Sequence, residues 1–287
     1  MFPGPRMVLH RSLPQSPLMA LAVSALAVIA CCGDAWGQAG AQVGAQAAPP
    51  PALQPAISGV LDAQGAEDQA IANSLAAMLR AGRTVISNNQ GKINDPTLGD
   101  KGLDGKSVLA DAIAIYTKAT GIAPSQIDPT SRMGRLQRAQ MDAIVEVMDA
   151  NQGVLNAQGS GFKGFIPAVF GRLVNEAFSR RAAGEAEMKV TAPVDLVRNR
   201  RALPDKWEAE VINAKFLKAD WPKGQAFSAT SDLRGHPVFR IAVPEYYAAS
   251  CLTCHGQTKG TLDITGYPRE GGAEGDLGGV ISIVLAH

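Results

Sequence analysis

Two stretches of this 287-residue chain decide how its first half folds: Asn89-Gln90-Gly91-Lys92-Ile93-Asn94 and Asn151-Gln152-Gly153-Val154-Leu155-Asn156. Four residues later comes a second block, Gly99-Asp100-Lys101-Gly102-Leu103 in one case and Gly161-Phe162-Lys163-Gly164-Phe165 in the other. The shared pattern N-Q-G-x-[IL]-N-x4-G-x-K-G-[LF] is too long for chance. Self-similarity of this kind marks a duplicated supersecondary unit.

The flanks say what the unit is. Ahead of the second copy, Met141, Ile144, Val145 and Met148 recur at i, i+3, i+4, i+7, one face of a helix. Behind the first copy, Val108, Leu109, Ala112, Ile115 and Tyr116 do the same. The matching segments are 69–87 and 166–181, so each copy reads as helix, glycine-bearing loop, helix. Two such hairpins over 58–184 pair their apolar faces as a four-helix arrangement. Asp104-Gly105-Lys106-Ser107 resembles the end of a phosphate-binding loop, but Asp100 stands where that motif needs glycine and no buried strand precedes it. The plainer expectation is that Asn89, Gln90, Asn151 and Gln152 cap helix C-termini, with glycines supplying positive φ.

From residue 185 onward the periodicity changes from helical to alternating. Residues 187–194, 225–232, 237–243 and 277–285 are short β-type runs; Val238, Arg240 and Ala242 alternate with Phe239, Ile241 and Val243. Residues 204–218 read as a helix with Trp207 and Val211 on one face. The whole is an α+β protein, a helical repeat followed by an antiparallel sheet domain at 185–287.

Composition narrows the function. A formal net charge of +1 lacks the electrostatic footprint of nucleic-acid binding, and 5% aromatic residues supply few stacking platforms. With 46% hydrophobic and 18% charged residues the chain is not disordered as a whole, and four cysteines are too few for a disulfide scaffold. Residues 1–37 read as a secretory signal: Arg6 and Arg11 precede an uncharged apolar stretch at 18–30, shorter than the roughly 20 residues of a membrane span. Two processing routes fit. Val28-Ile29-Ala30-Cys31 resembles a lipoprotein box with Cys31 as the acylated residue, and Ala35-Trp36-Gly37 offers small residues for ordinary cleavage. Either route exports the protein, to the periplasm or the extracytoplasmic membrane surface. Residues 38–57, all Ala, Gln, Gly, Pro and a few aliphatics, read as a disordered linker. No transmembrane domain is expected in the mature chain, and a lipidated Cys31 would be its membrane tether.

The chemistry lies in Cys251-Leu252-Thr253-Cys254-His255. C-x-x-C-H is the attachment signature of c-type haem: two thiols three positions apart reach the two vinyl groups of one porphyrin, and the adjacent imidazole is the proximal iron ligand. Cys251 and Cys254 are thus the expected thioether positions for one covalent haem c and His255 the expected iron ligand. A thioredoxin-like dithiol does not require the histidine, and a structural zinc site needs two further ligands at matched spacing.

Val197-Arg198-Asn199-Arg200, Trp207-Glu208, Phe239-Arg240, Pro244, the segment 251–256 and Glu274-Gly275-Asp276-Leu277-Gly278-Gly279-Val280-Ile281-Ser282 together resemble the exported Tll-type haem family, long catalogued as a domain of unknown function. The resemblance covers 164–287, with the helical hairpins as an upstream extension. It implies a PAS-like fold carrying covalent haem, used by some members as a sensor domain and by others as a stand-alone cytochrome. This chain, with no second apolar span, looks like the stand-alone kind.

The sixth iron ligand is not identified by the sequence. Met133, Met141, Met148 and Met188 are thioether candidates, although helix-face methionines more often pack a core. His236 lies in a turn entering a strand, and His287 is terminal, where fraying is expected. Arg198 and Arg240 are candidates for haem propionate contacts. The expected function is a monohaem c-type cytochrome-like protein that transfers electrons to a redox partner. The alternatives are a haem-based redox or gas sensor acting through a signalling partner, and a haem-free thiol–disulfide oxidoreductase. No catalytic triad or paired carboxylate argues for an enzyme.

Overall fold

The computed structural model describes residues 62–287. The signal segment 1–37, the linker 38–57 and Cys31 lie outside the described residues. Helices come first: α1 (Ala63–Asn88), α2 (Gln90–Ile93), α3 (Gly105–Thr120), α4 (Arg132–Ala150), α5 (Gln152–Leu155) and α6 (Pro167–Arg181). Strand β1 (Ala186–Thr191) follows, then α7 (Lys206–Val211), β2 (Phe227–Leu233), β3 (His236–Tyr246), α8 (Leu252–His255) and β4 (Leu277–Ala286). The protein is α+β, with eight α-helices and one four-stranded sheet among the described residues.

Helix starts follow local chemistry. The Asp62, Asp104 and Ser131 side chains accept the backbone N–H groups of Gly65, Ser107 and Gly134, satisfying donors that the first turn leaves unpaired. Pro167, needing no partner for an N–H, opens α6. Asp205 and Glu208 form a reciprocal capping box before α7, whose C-terminal end widens into a turn closed by Leu217 N–H to the Ile212 carbonyl.

The two repeat copies exchange contacts. Asn89 and Asn151 each donate to a carbonyl of the preceding helix, Val85 and Val147. Gln90 donates across to the Phe165 carbonyl at 3.0 Å, and its counterpart Gln152 to the Leu103 carbonyl at 3.0 Å. Asn94 accepts the Lys163 N–H, and Asn156 accepts the Lys101 N–H, both at 3.0 Å. Each loop is therefore closed by the side chains of the other. Gly102 and Gly164, at φ of 57° and 70°, occupy the same left-handed position in the two loops.

The sheet is antiparallel throughout, in the order β1-β4-β3-β2. Its alternation gives it two covered faces. Phe239, Ile241 and Val243 of β3, with Ile281, Ile283 and Leu285 of β4, join Ile71, Leu75, Met78 and Phe170 of the helices in one buried core. On the other face, Val211, Ile212 and Phe216 cover Ala242 and Val280, with Trp207, Trp221 and Phe227 packed around them. Helices and sheet thus share a core that crosses residue 185. A bulge at Glu245 and Tyr246 ends regular pairing of β3 and turns the chain toward the C-x-x-C-H segment.

Candidate functional site

Tyr247, the first residue past β3, begins the site. Its backbone pairs with the returning chain, N–H to the Asp276 carbonyl and carbonyl from the Gly275 N–H. Cys251, Cys254 and His255 then follow on a short turn of helix ending in α8, and both thiols are free. The Gly272 N–H donates to the His255 carbonyl at 2.8 Å, closing the turn against the segment before β4.

The imidazole is held on two sides. Its Nδ1 lies 2.8 Å from Glu270 Oε2, and its ring stacks on Tyr247 with centroids 5.0 Å apart and planes 18° from parallel. Space for the Tyr247 ring exists because glycines line it: a Cβ at Gly278 would stand 2.3 Å from the ring, and one at Gly272 would stand 2.7 Å away. A carboxylate acceptor on Nδ1 places the ring proton there and leaves the Nε2 lone pair available. Among the described residues Nε2 has no hydrogen-bond partner.

Arg198 ties the surroundings together. It donates to both oxygens of Glu270, at 2.7 and 3.0 Å, to Asp263 Oδ2 at 2.6 Å and to the Cys254 carbonyl at 2.9 Å. Burial works against the Glu270 charge, but hydrogen bonds from Arg198 and His255 outweigh it and hold the carboxyl below its usual range. Asp263 is depressed further: burial again opposes its charge, and hydrogen bonds from Thr265 and Arg198 prevail. Burial, with Asp263 close by, raises the Cys254 thiol, and burial pushes the Tyr247 hydroxyl up to about 12. A second charged group adjoins the motif. Glu245 lies part-buried between Arg80 and Arg83 of α1, and Arg83 lies within electrostatic reach of Cys251.

A family model described as Tll0287-like matches residues 64–286. The chain belongs to the Tll0287-like family. The match takes in the helical hairpins, so these are part of the family's own region and not the extension that the motifs alone suggest. No curated protein and no solved structure matches the chain.

The remaining sequence candidates fall elsewhere. Met148 and Met188 are buried in the shared core, Met188 receiving a hydrogen bond from Gln140, while Met133 and Met141 pack against that core. His236 is exposed at the far end of β3 from Tyr246, about 33 Å away at ~3.3 Å per residue. Arg240 is buried over Trp207 on the other sheet face, paired with Asp205, and does not join the site. Arg198 does join it, its guanidinium donating to Glu270, Asp263 and the Cys254 carbonyl. His287, expected to fray, lies 3.7 Å from the buried Asp68. Sequence reasoning missed Tyr247, Asp263, Glu270, Arg80 and Arg83. The glycines at 272 and 278 were visible, but nothing in their spacing names the ring they admit.

Proposed function

We propose that this is an extracytoplasmic c-type haem protein that carries one electron at a time, with Cys251 and Cys254 as the thioether positions and His255 as the iron ligand. The observation that carries the reading is the His255–Glu270 hydrogen bond, which orients the imidazole and leaves Nε2 free, the arrangement that metal-ligating histidines use. Three buried donors around the motif, Tyr247 Oη, Arg83 Nε and Arg269 Nε, have no hydrogen-bond partner among the described residues, which fits a group bearing carboxylates. Leu262 and Ile264, 68% and 60% exposed on the loop after the motif, offer apolar surface of the kind a porphyrin covers. When bound, haem supplies a one-electron change at iron. The chain's part is to anchor the ring at two sulfurs, hold the imidazole plane against Tyr247, and fix its proton on Nδ1. A PAS-like description of the sheet and its flanking helices belongs to the same proposal, as do export through 1–37 and a redox partner protein.

The dithiol reading requires Cys251 and Cys254 to stay free, so covalent haem at both sulfurs excludes it. The sensing reading is favoured by one observation: Met133, Met141, Met148 and Met188 pack in or against the shared core and His236 stands at the far end of β3, so a bound iron would not be expected to draw a second ligand from this set. Protein made with c-type maturation machinery tests both. Haem that survives acid-acetone extraction and yields a c-type pyridine haemochrome, lost in C251A/C254A, is the expected result; fully extractable haem would sink the proposal. In the same sample, a reduced spectrum shifted by CO or NO speaks for sensing, and an unmoved one for electron transfer.

A further inference from the structure

We propose that Glu270 and Arg198 set the strength of His255 as an iron ligand, acting in opposite senses. The inference rests on the haem reading above and concerns what that site does with its potential. A proximal histidine can donate its free N–H to a neutral carbonyl or to a carboxylate, and the choice is a recognised lever on the metal. Here the acceptor is Glu270 Oε2 at 2.8 Å, a side chain only 14% exposed. Behind it the charges do not balance. Arg198 bridges Glu270 and the fully buried Asp263, so one guanidinium faces two carboxylates and the cluster keeps one negative charge.

A charge-assisted hydrogen bond to such a cluster makes the imidazole a stronger electron donor, which favours ferric over ferrous iron. Arg198 restrains the effect, because its two hydrogen bonds draw electron density from the same Glu270 oxygens that face the ring. Asp263 adds negative charge to the cluster without touching His255. Tyr247, stacked on the ring, keeps the imidazole plane constant while these charges are changed. Glu270 and Arg198 are therefore positioning residues whose signature is electronic.

The test compares E270Q, R198M, R198K and D263N in the full chain carrying haem. Covalent haem content is measured first, then the midpoint potential by spectroelectrochemistry and the iron–histidine stretch by resonance Raman of the reduced protein. E270Q is expected to raise the potential and lower the stretching frequency, and R198M to lower the potential. D263N is expected to raise the potential by less than E270Q and to leave the stretch unmoved, and R198K to stay near wild type. Haem present with an unmoved potential in E270Q, or E270Q and D263N moving the stretch alike, overturns the inference. Should R198M fail to fold, the E270Q and D263N pair still decides. Absence of covalent haem in the wild-type chain overturns the underlying reading, and that result is distinguishable at the first measurement.

Discussion

Glu245 shows how one residue's surroundings reverse its intrinsic tendency. Burial alone would raise its carboxyl, yet the guanidiniums of Arg83 and Arg80 bring it down from 4.5 to about 2. The folded value lies below the unfolded one, so the stabilisation is present above about pH 4.5 and is lost as pH falls toward 2. That gap corresponds to of order 3 kcal/mol at about 1.4 kcal/mol per pH unit. Thermal or urea unfolding of wild type and E245Q between pH 6 and 2 should show the wild type losing stability more steeply. Parallel curves would contradict the pairing. None of this was legible beforehand: Arg80, Arg83 and Glu245 carry no motif, and they meet only because α1 crosses the end of β3. The grouping of Cys251, Cys254 and His255 on one turn, by contrast, was legible, because their spacing is a local property.

At the scale of elements, the repeat announces two hairpins, with Asn89, Gln90, Asn151 and Gln152 as caps of helix C-termini. All four donate to carbonyls of the preceding helix, but Gln90 and Gln152 also reach the opposite loop, as do Asn94 and Asn156, for which the spacing suggests no role. Spacing reports what a segment can do locally and is silent on which segment will be its neighbour. Replacing Asn94 or Asn156 by alanine strands a backbone N–H of the other loop, which should cost about 1–2 kcal/mol in each case. The two losses should not add in N94A/N156A, since both belong to one network. Chemical denaturation of the two singles and the double checks this, and strict additivity would argue that the loops are independent. Strand limits show a similar division. The alternation at 237–243 marked β3, but the strand runs on to Tyr246 through Pro244. Pro244 is tolerated because β2 pairing has stopped at Phe227 and Ala242, so no ladder partner misses its N–H.

For the whole molecule, the division expected at 184/185 separates segments by periodicity, whereas the core joins them. Phe239, Ile241, Val243, Ile281, Ile283 and Leu285 are at most 1% exposed, and the helices are what cover them. A chain trimmed to 185–287 would leave that face bare, so it should fail to give dispersed amide NMR signals. The full chain should unfold in one cooperative step reported alike by far-UV circular dichroism and tryptophan fluorescence, since Trp207 and Trp221 lie on the sheet side. A folded 185–287 fragment, or two separated transitions, would show that the halves are independent domains. Among the described residues no helix is long and apolar enough to cross a membrane.

The amino-acid sequence by itself determined the α+β class, the duplicated helical unit and the three residues of the C-x-x-C-H motif. All of these are written in spacings of a few residues, where backbone geometry and thiol reach act directly. Only the tertiary structure decided that the loops close each other and that one core serves both halves. It also set Arg198 behind Glu270 and Glu270 behind His255. Those residues stand 72 and 15 positions apart in the chain. Burial and hydrogen bonding choose partners by proximity in space, which no local pattern encodes.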